Sequence, residues 1–380
     1  MSETTGRTMN LDEAVLLAAE MMRQGDITRA RPLVDQPLAA APEHPDVLYI
    51  AAGLTWKEGN GPEAVDLQRR LIGLCPDDPA HHKNLILFLE HLGAATEVPQ
   101  AYENALAHCP DDPALANGWG LRLLDAGETT TALELFDKLV AAHPDNGTGH
   151  RNRSIALLAL GRPEDAVEAF SRSLTEWKGG ATKPDTAVDA TYAEIAAAYD
   201  SNPLQASWGR TTAELVDEIL GETAGLRLLD VCCGTGSVGR HLRRRPAYLA
   251  GIDRSPEMLA EARSTGRYDD LLEADLITGM EKHEQRFRII TCSCALYHVA
   301  DLDPFFRQAA RLLEPSGHLV ISVDPATDTF DIAVVEPGEF AHSRANLRRL
   351  AAKYGFKENY IKIDKHRAYP GFWCAFQAER

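Results

Sequence analysis

Glycine and proline recur every 34 residues through the first half of the chain. The recurring positions are Gly25, Gly59, Gly93, Gly127 and Gly161, and Pro42, Pro76, Pro110 and Pro144. A period of this length is typical of a unit of two helices, in which glycine follows the first helix and proline lies beyond the second. Because one such pair cannot bury its apolar face alone, successive pairs are predicted to stack into a solenoid.

Side-chain size follows the same register. A compact residue precedes a larger one by four positions, and the pairs are Ala30 and Val34, Ala64 and Gln68, Val98 and Tyr102, Ala132 and Phe136, and Ala166 and Phe170. The compact residue lets two helices approach closely, and the larger one fills the gap against the next pair. The first half is therefore predicted to be all helical.

The fourth unit shows the pattern most fully, with Trp119, Gly120, Gly127, Ala132, Phe136 and Pro144. The pattern resembles the tetratricopeptide repeat, and the resemblance covers residues 11–178 as five units. It implies a groove that binds a protein or peptide partner. The alternative is that the array forms a homodimer or packs on the rest of the chain.

Charge and composition divide the chain after the repeats. Residues 179–189 hold two glycines and a proline among small polar residues, which predicts a linker. Of the net charge of −17, residues 1–180 carry −12, from 15 basic and 27 acidic residues, and residues 181–380 carry −5, from 24 and 29. Residues 190–380 are predicted to form a second domain, with a helical lead-in over 190–225 and a core over 226–380.

Composition also excludes several classes of protein. The acidic balance argues against a nucleic-acid partner, because such affinity depends on clustered basic residues. No run approaches the roughly 18 apolar residues that span a bilayer, and residues 1–10 lack the apolar stretch of a secretion signal. The odd number of cysteines, seven, then predicts reduced thiols in a cytoplasmic protein, and their spacing predicts no structural metal site.

From residue 226 onward, predicted strands and helices alternate, which is typical of a mostly parallel sheet. The expected strands cover 227–232, 248–252, 288–293 and 318–323, a further strand ends before Asp275, and a hairpin over 358–364 and 372–377 closes the chain. In the lead-in, helices are expected over 190–199 and 211–220, the latter with Thr211 or Thr212 as N-cap.

A glycine-rich turn follows the first strand of this domain, in LLDVCCGTGSVG. With Gly239 the turn satisfies G-x-G-x-x-G, which on its own also admits a dinucleotide. Asp230 would repel a pyrophosphate but accept a hydrogen bond from a cationic amino group. Asp253 suits the hydroxyls of a ribose, and Asp275 an adenine amino group with Leu276 over the ring.

These motifs, DVCCGTG, AGIDRS and LLEADL, resemble those of class I S-adenosylmethionine-dependent methyltransferases over residues 226–380. The resemblance implies a Rossmann-like seven-stranded domain with a C-terminal antiparallel hairpin, and S-adenosylmethionine as cofactor. The implied cofactor-binding residues are Asp230, Cys232, Gly234, Gly236, Asp253, Arg254, Asp275 and Leu276. Cys232 departs from the glycine of many members, and the CCGTG variant is similar to ubiquinone/menaquinone-type C-methyltransferases. The whole chain resembles predicted repeat-containing methyltransferases.

Candidates for the chemistry lie after the fourth predicted core strand. His298 is a candidate general base, and Tyr297 would orient the acceptor or shield the methyl group. Tyr192 and Tyr199 are expected to serve helix packing, with lining of the acceptor side as the alternative. Cys292 and Cys294 are expected to be buried apolar residues. The favoured hypothesis is methyl transfer to a protein, carrier-tethered or small-molecule acceptor. The alternatives are a repeat-based adaptor with a non-catalytic cofactor-sensing domain, and an NAD-dependent oxidoreductase.

Overall fold

The computed structural model describes residues 10–180, 185–221 and 225–379, without the side chains of residues 185–189. The chain divides into two compact units, Met1–Pro144 and Asp145–Arg380. Among the described residues, no helix combines the length and the apolar character that crossing a bilayer requires.

The first unit consists of helices that pack as antiparallel pairs. They are α1 (Leu11–Arg23), α2 (Ile27–Ala40), α3 (Pro45–Lys57), α4 (Gly61–Leu74), α5 (Pro79–His91), α6 (Val98–His108), α7 (Pro113–Asp125) and α8 (Thr129–Ala142). The glycine after each first helix is left-handed, with φ between 68° and 87° over the five repeats, as predicted for a helix C-terminus. Each recurring proline lies two residues beyond the second helix.

The core of this array is built from the recurring compact and larger residues. All ten predicted packing positions are buried, including the polar Gln68, whose side-chain amide donates to the His81 carbonyl at 2.9 Å. At Gly120 an added Cβ would lie 2.3 Å from the Phe136 ring. The close approach predicted for the small residues is confirmed.

The second unit contains both helices and strands. Its helices are α9 (Gly147–Ala159), α10 (Pro163–Ser171), α11 (Asp185–Ile195), α12 (Pro203–Leu220), α13 (Ser237–His241), α14 (Pro256–Ser264), α15 (Leu276–Glu281), α16 (Asp303–Leu312) and α17 (Arg344–Lys353). Its strands are β1 (Thr175–Glu176), β2 (Arg227–Val231), β3 (Tyr248–Asp253), β4 (Asp270–Glu273), β5 (Phe287–Cys292), β6 (Leu313–Ala326), β7 (Ile332–Glu336), β8 (Glu339–Ser343), β9 (Phe356–Lys365) and β10 (Pro370–Ala378).

Within the described residues these strands form one ten-stranded sheet, in the order β1-β7-β8-β6-β5-β2-β3-β4, with β10 paired to β6 and β9. Strands β2 to β6 run parallel, and β9 and β10 form the antiparallel hairpin, so the seven predicted strands are present. Strands β1, β7 and β8 were not predicted. They pair beyond the end of β5, because β6 is long enough for its last residues to pair with β8.

The helix pair α9 and α10, which the sequence presents as the fifth repeat, belongs to the second unit. Phe170 of α10 is fully buried in a cluster with Ala326, Val335 and Ala341. Strand β1 then pairs with β7, antiparallel. The compact unit therefore begins before the predicted linker at 179–189, of which residues 181–184 lie outside the described residues.

The lead-in helices differ in their limits from the prediction. Helix α12 begins at Pro203, where the Asn202 side chain accepts from the Leu204 N–H at 2.9 Å. An N-cap at Thr211 or Thr212 is wrong, because both hydroxyls donate to backbone carbonyls four residues earlier within the helix. The predicted helix over 190–199 is the end of α11 followed by a 3₁₀ turn, Ala196–Ser201.

Candidate active site

A cavity of about 320 Å³ lies at the carboxyl ends of the parallel strands, where ligands bind in open α/β sheets. Six of the eight predicted cofactor-binding residues line it: Cys232, Gly234, Asp253, Arg254, Asp275 and Leu276. The predicted base His298 lines it as well. The other two predicted cofactor residues, Asp230 and Gly236, lie behind this wall.

Asp253 is fixed at the end of β3 by two backbone donors. Its Oδ2 accepts from the Gly234 N–H at 2.8 Å, and its Oδ1 accepts from the Ser255 N–H at 3.0 Å. Burial raises the pKa of this carboxyl above its usual value, although the backbone donors oppose that change. Because a carboxylate oxygen accepts more than one hydrogen bond, both oxygens retain capacity for hydroxyl groups in the cavity.

Asp275 has a structural role as well as a position in the cavity wall. Its carboxylate caps α15 by accepting from the N–H groups of Ile277 and Thr278, at 3.1 and 3.0 Å. Desolvation raises the pKa of Asp275, but these donors outweigh it and hold the pKa below the usual value. The side chain is therefore an ionised acceptor at neutral pH, beside Leu276.

Asp230 lies fully buried beneath the glycine-rich turn. The Tyr268 hydroxyl donates to its Oδ2 at 2.6 Å, and the Thr291 hydroxyl donates to its Oδ1 at 2.7 Å. Burial raises the pKa of Asp230 to about 6. Direct contact with an amino group remains a prediction, whereas contact with these two hydroxyls is part of the structure.

Across the cavity, His298 meets two tyrosines. Its Nε2 lies 3.3 Å from the Tyr192 hydroxyl, which lies 3.0 Å from the Tyr297 hydroxyl. Burial raises the pKa of Tyr192 to about 12 and raises that of Tyr297 well above its usual value, so both hydroxyls are neutral at physiological pH. The packing role expected for Tyr192 and Tyr199 is incomplete, because both also line the cavity.

A charged network supports the Tyr297 side of the cavity. The Arg367 guanidinium lies 4.1 Å from the centre of the Tyr297 ring and pairs with Asp324 at 3.0 Å and Glu339 at 2.7 Å. Asp324 also accepts from His366 at 2.8 Å. These contacts connect the loop that carries His298 to β6, β8 and the end of β9.

Cys292 and Cys294 are buried, as the sequence indicated, and so is Cys233, whereas Cys232 is half-buried. Burial raises the pKa of the Cys233 and Cys294 thiols well above the usual value, which disfavours thiolate chemistry. Cys232 and Cys294 both line the cavity and both have left-handed backbones, with φ of 54° and 51°. The cavity wall therefore turns sharply at the ends of β2 and β5.

Gly338 is the cavity residue that sequence reasoning missed most clearly. It lies at the tip of the β7–β8 hairpin. The signal was present in the sequence, because Pro337 and Gly338 form a turn dipeptide between two alternating segments, IAVVE and EFAHS.

Comparison with protein families supports the two-part organisation. Residues 204–361 match a family model described as a methyltransferase domain. Residues 16–79 and 117–181 match a model described as a tetratricopeptide repeat. The methyltransferase match includes all eight predicted cofactor-binding residues.

Individual relatives match the second half. A ubiquinone biosynthesis O-methyltransferase of Yersinia enterocolitica is 32% identical over 128 residues, 32% of this chain and 53% of that protein. A demethylmenaquinone methyltransferase of Tropheryma whipplei is 34% identical over 134 residues, 33% of this chain and 54% of that protein. The chain thus spans about half the length of these relatives.

Among solved structures, a 1,6-didemethyltoxoflavin-N1-methyltransferase of Burkholderia thailandensis is similar, with 14% identity and a TM-score of 0.42. That similarity covers 55% of this chain and 95% of that one. The repeat matches begin before the methyltransferase match along the sequence, and the parallel strands β2 to β6 lie within the methyltransferase match. This chain therefore carries matches to tetratricopeptide repeats, followed by a match to a methyltransferase domain.

Proposed function

We propose that the protein is an S-adenosylmethionine-dependent methyltransferase. The observation that carries this proposal is the placement of Asp253, held by Gly234 and Ser255 at the edge of a cavity. The residues present fit the cofactor: Asp253 offers acceptors for ribose hydroxyls, and Asp275 with Leu276 offers an acceptor and an apolar surface for adenine. Bound there, the cofactor would supply an electrophilic methyl group on sulfur.

The acceptor side is suited to a nucleophile that must lose a proton. An acceptor beside His298 would donate its proton to the imidazole, while the neutral hydroxyl of Tyr192, which also lines the cavity and is itself held by Tyr297, binds the acceptor by a hydrogen bond. The cavity lining next to His298 includes the apolar side chains of Leu296 and Val299, which suits a small, partly apolar acceptor. We therefore propose a small-molecule acceptor with an acidic O–H group, which the name of the Yersinia relative also supports.

Calorimetry with S-adenosylhomocysteine tests the cofactor assignment. Asp253→Ala is expected to weaken binding at least about tenfold, because it removes hydrogen bonds to a charged acceptor worth about 1.5–3 kcal/mol. Glu273→Ala is the matched control, since Glu273 lies opposite Asp253 on the adjacent strand without lining the cavity. Equal affinity of the wild-type and Asp253→Ala proteins would refute the assignment, and binding of a nicotinamide dinucleotide instead would support the oxidoreductase alternative.

Turnover tests the acceptor assignment. Release of S-adenosylhomocysteine is measured with a panel of small phenols and enols, and His298→Gln is expected to lower kcat by about 10²–10⁴-fold. The defect should shrink as the pH approaches the acceptor's own pKa, because an ionised acceptor needs no base. His241→Gln, outside the cavity lining, is the control. Turnover on protein fractions alone would contradict a small-molecule acceptor, and no turnover on either would favour the adaptor.

We also propose that the repeat array binds a protein partner. Leu87 and Leu121 lie one repeat apart and are 44% and 41% exposed, so each leaves part of an apolar side chain available to a partner. A Leu87→Asp/Leu121→Asp variant should lose partner capture in a pull-down while its affinity for S-adenosylhomocysteine stays unchanged. Sedimentation of the purified chain shows whether that partner is a second copy.

A further inference from the structure

Tyr268 joins the glycine-rich turn to the buried acid beneath it. The Gly239 N–H approaches the Tyr268 hydroxyl oxygen at 3.3 Å, and the same hydroxyl donates to Asp230 at 2.6 Å. On the other side, the Thr291 hydroxyl donates to Asp230 at 2.7 Å. Hydrogen bonds that converge on Asp230 thus connect α13, the loop before β4, β2 and β5.

The ring of Tyr268 also explains three glycines. An added Cβ would approach this ring to 2.8 Å at Gly236, 2.8 Å at Gly239 and 2.9 Å at Gly251. Contacts this short force a shift of the ring, so these positions have room for hydrogen alone. The sequence attributes the spacing of Gly236 and Gly239 to a ligand. The ring of Tyr268, 29 residues after Gly239, requires the same spacing.

The neighbouring Arg267 holds the other end of α13. Its guanidinium donates to the Gly239 carbonyl at 3.0 Å and to the Leu242 carbonyl at 3.2 Å. The segment at 267–268 therefore holds α13 at two places, and only Tyr268 contacts Asp230. Substitution of Arg267 therefore affects the support of α13 alone, whereas substitution of Tyr268 also removes the hydrogen bond to Asp230.

We propose that Tyr268 is a positioning residue for the cofactor, acting through Asp230 to hold the glycine-rich turn in its binding shape. The inference rests on the proposed function, because it takes S-adenosylmethionine as the ligand of this turn. Cys232 and Gly234 of the turn line the cavity, whereas Tyr268 and Asp230 lie behind them. Tyr268 therefore affects the ligand without contacting it.

Both hydroxyls donate to Asp230, one to each oxygen, so protonation of its carboxyl would cost one of these two hydrogen bonds. The groups facing Asp230 are Tyr268 and Thr291, the Cys233 and Cys292 thiols, and the Asp253 carboxyl. Burial and neighbouring charge raise the pKa of the tyrosine and both thiols well above usual values, so below about pH 8 only the two carboxyls titrate. The Tyr268 hydrogen bond lowers the pKa of Asp230. Its removal must therefore raise that pKa.

Tyr268→Phe retains the ring and deletes the hydroxyl. In the full-length protein, S-adenosylhomocysteine affinity is measured by calorimetry from pH 5.5 to 8.5, and the Asp230 carboxyl is titrated by ¹³C NMR without ligand. We expect the pKa of Asp230 to rise by about one unit, as for loss of a hydrogen bond to a charged group. The pH below which affinity declines should rise equally. Some loss of affinity should remain at pH 8.5, because the hydrogen bond is absent at every pH, and the loss should grow to severalfold at pH 6.5.

Three further variants keep the outcome decisive. Thr291→Val removes the other donor and should raise both the pKa of Asp230 and the pH below which affinity declines. This variant tests the inference even if Tyr268→Phe folds poorly. Thr291→Ser retains the hydroxyl and should restore both values. Arg267→Gln loosens α13 and should reduce affinity equally at every pH. An unchanged midpoint in both Tyr268→Phe and Thr291→Val overturns the inference. Failure of the wild-type protein to bind S-adenosylhomocysteine overturns the proposed function instead.

Discussion

The Arg151 guanidinium of α9 forms an ion pair with Glu336 of β7 at 2.7 Å and donates to the Val335 carbonyl at 2.6 Å. Arg344 of α17 makes a two-pronged pair with Glu164 of α10, at 2.8 and 2.9 Å. The helix pair that completes the repeat sequence is therefore bonded into the methyltransferase sheet through residues about 180 positions apart.

A fragment that begins at residue 145 is expected to fold, whereas one that begins at residue 185 is expected to be less stable by roughly 5 kcal/mol. The shorter fragment loses the buried side chains of Val167, Phe170 and Leu174, each worth about 1.5–3 kcal/mol. Urea denaturation of the two fragments measures the difference. Equal midpoints would show that α9 and α10 contribute nothing to the second unit.

Gly120→Ala is expected to destabilise the array by about 1–3 kcal/mol, because the new methyl group overlaps the Phe136 ring. Gly73→Ala is the matched control. Gly73 lies in α4 with open space around it, so alanine there should stabilise the helix by up to about 1 kcal/mol. Thermal unfolding of both variants checks the opposite signs, and two shifts in the same direction would contradict the packing.

His342 should make the second unit sensitive to acid. Burial lowers its pKa to about 4, and the ring contacts the Val299 carbonyl at 2.9 Å. Because the folded state holds this ring neutral, its contribution is fully present above about pH 6.5 and is lost as the pH falls toward 4, by about 2 kcal/mol between pH 7 and 5. The free energy of unfolding, measured by urea denaturation at each pH, should depend on pH more steeply between pH 7 and 5 in the wild type than in His342→Gln. Parallel slopes would exclude this role.

Arg367→Met should cost about 3–5 kcal/mol at neutral pH, because it leaves the buried Asp324 and the half-buried Glu339 without their shared cation. Desolvation raises the pKa of Asp324, but His366 and Arg367 together hold it below the usual value. Without Arg367 that pKa rises, so the variant should recover part of its deficit as the pH falls. The double variant Arg367→Met/Asp324→Asn should lose less stability than the sum of the two single substitutions. A strictly additive loss would argue against the ion pair.

The sequence predicted well the features that repeat and those that lie just beyond a strand end. The 34-residue period located the paired helices, and a strand ending in Asp253 located the cavity. It did not predict the partners of Asp230, because Tyr268 and Thr291 lie 38 and 61 residues away and meet it only through strand order. The β7–β8 hairpin was missed for a similar reason, since its pairing depends on the length of β6.

The two sides of the cavity are encoded in separate parts of the chain. Cys232, Gly234 and Asp253 lie at the ends of parallel strands, whereas Tyr192 comes from the lead-in helix and Gly338 from the added hairpin. Substitutions in the helix and hairpin alter the space for an acceptor without disturbing the strand ends. Descendants of such a chain can therefore change one wall of the cavity while the strand ends preserve the other.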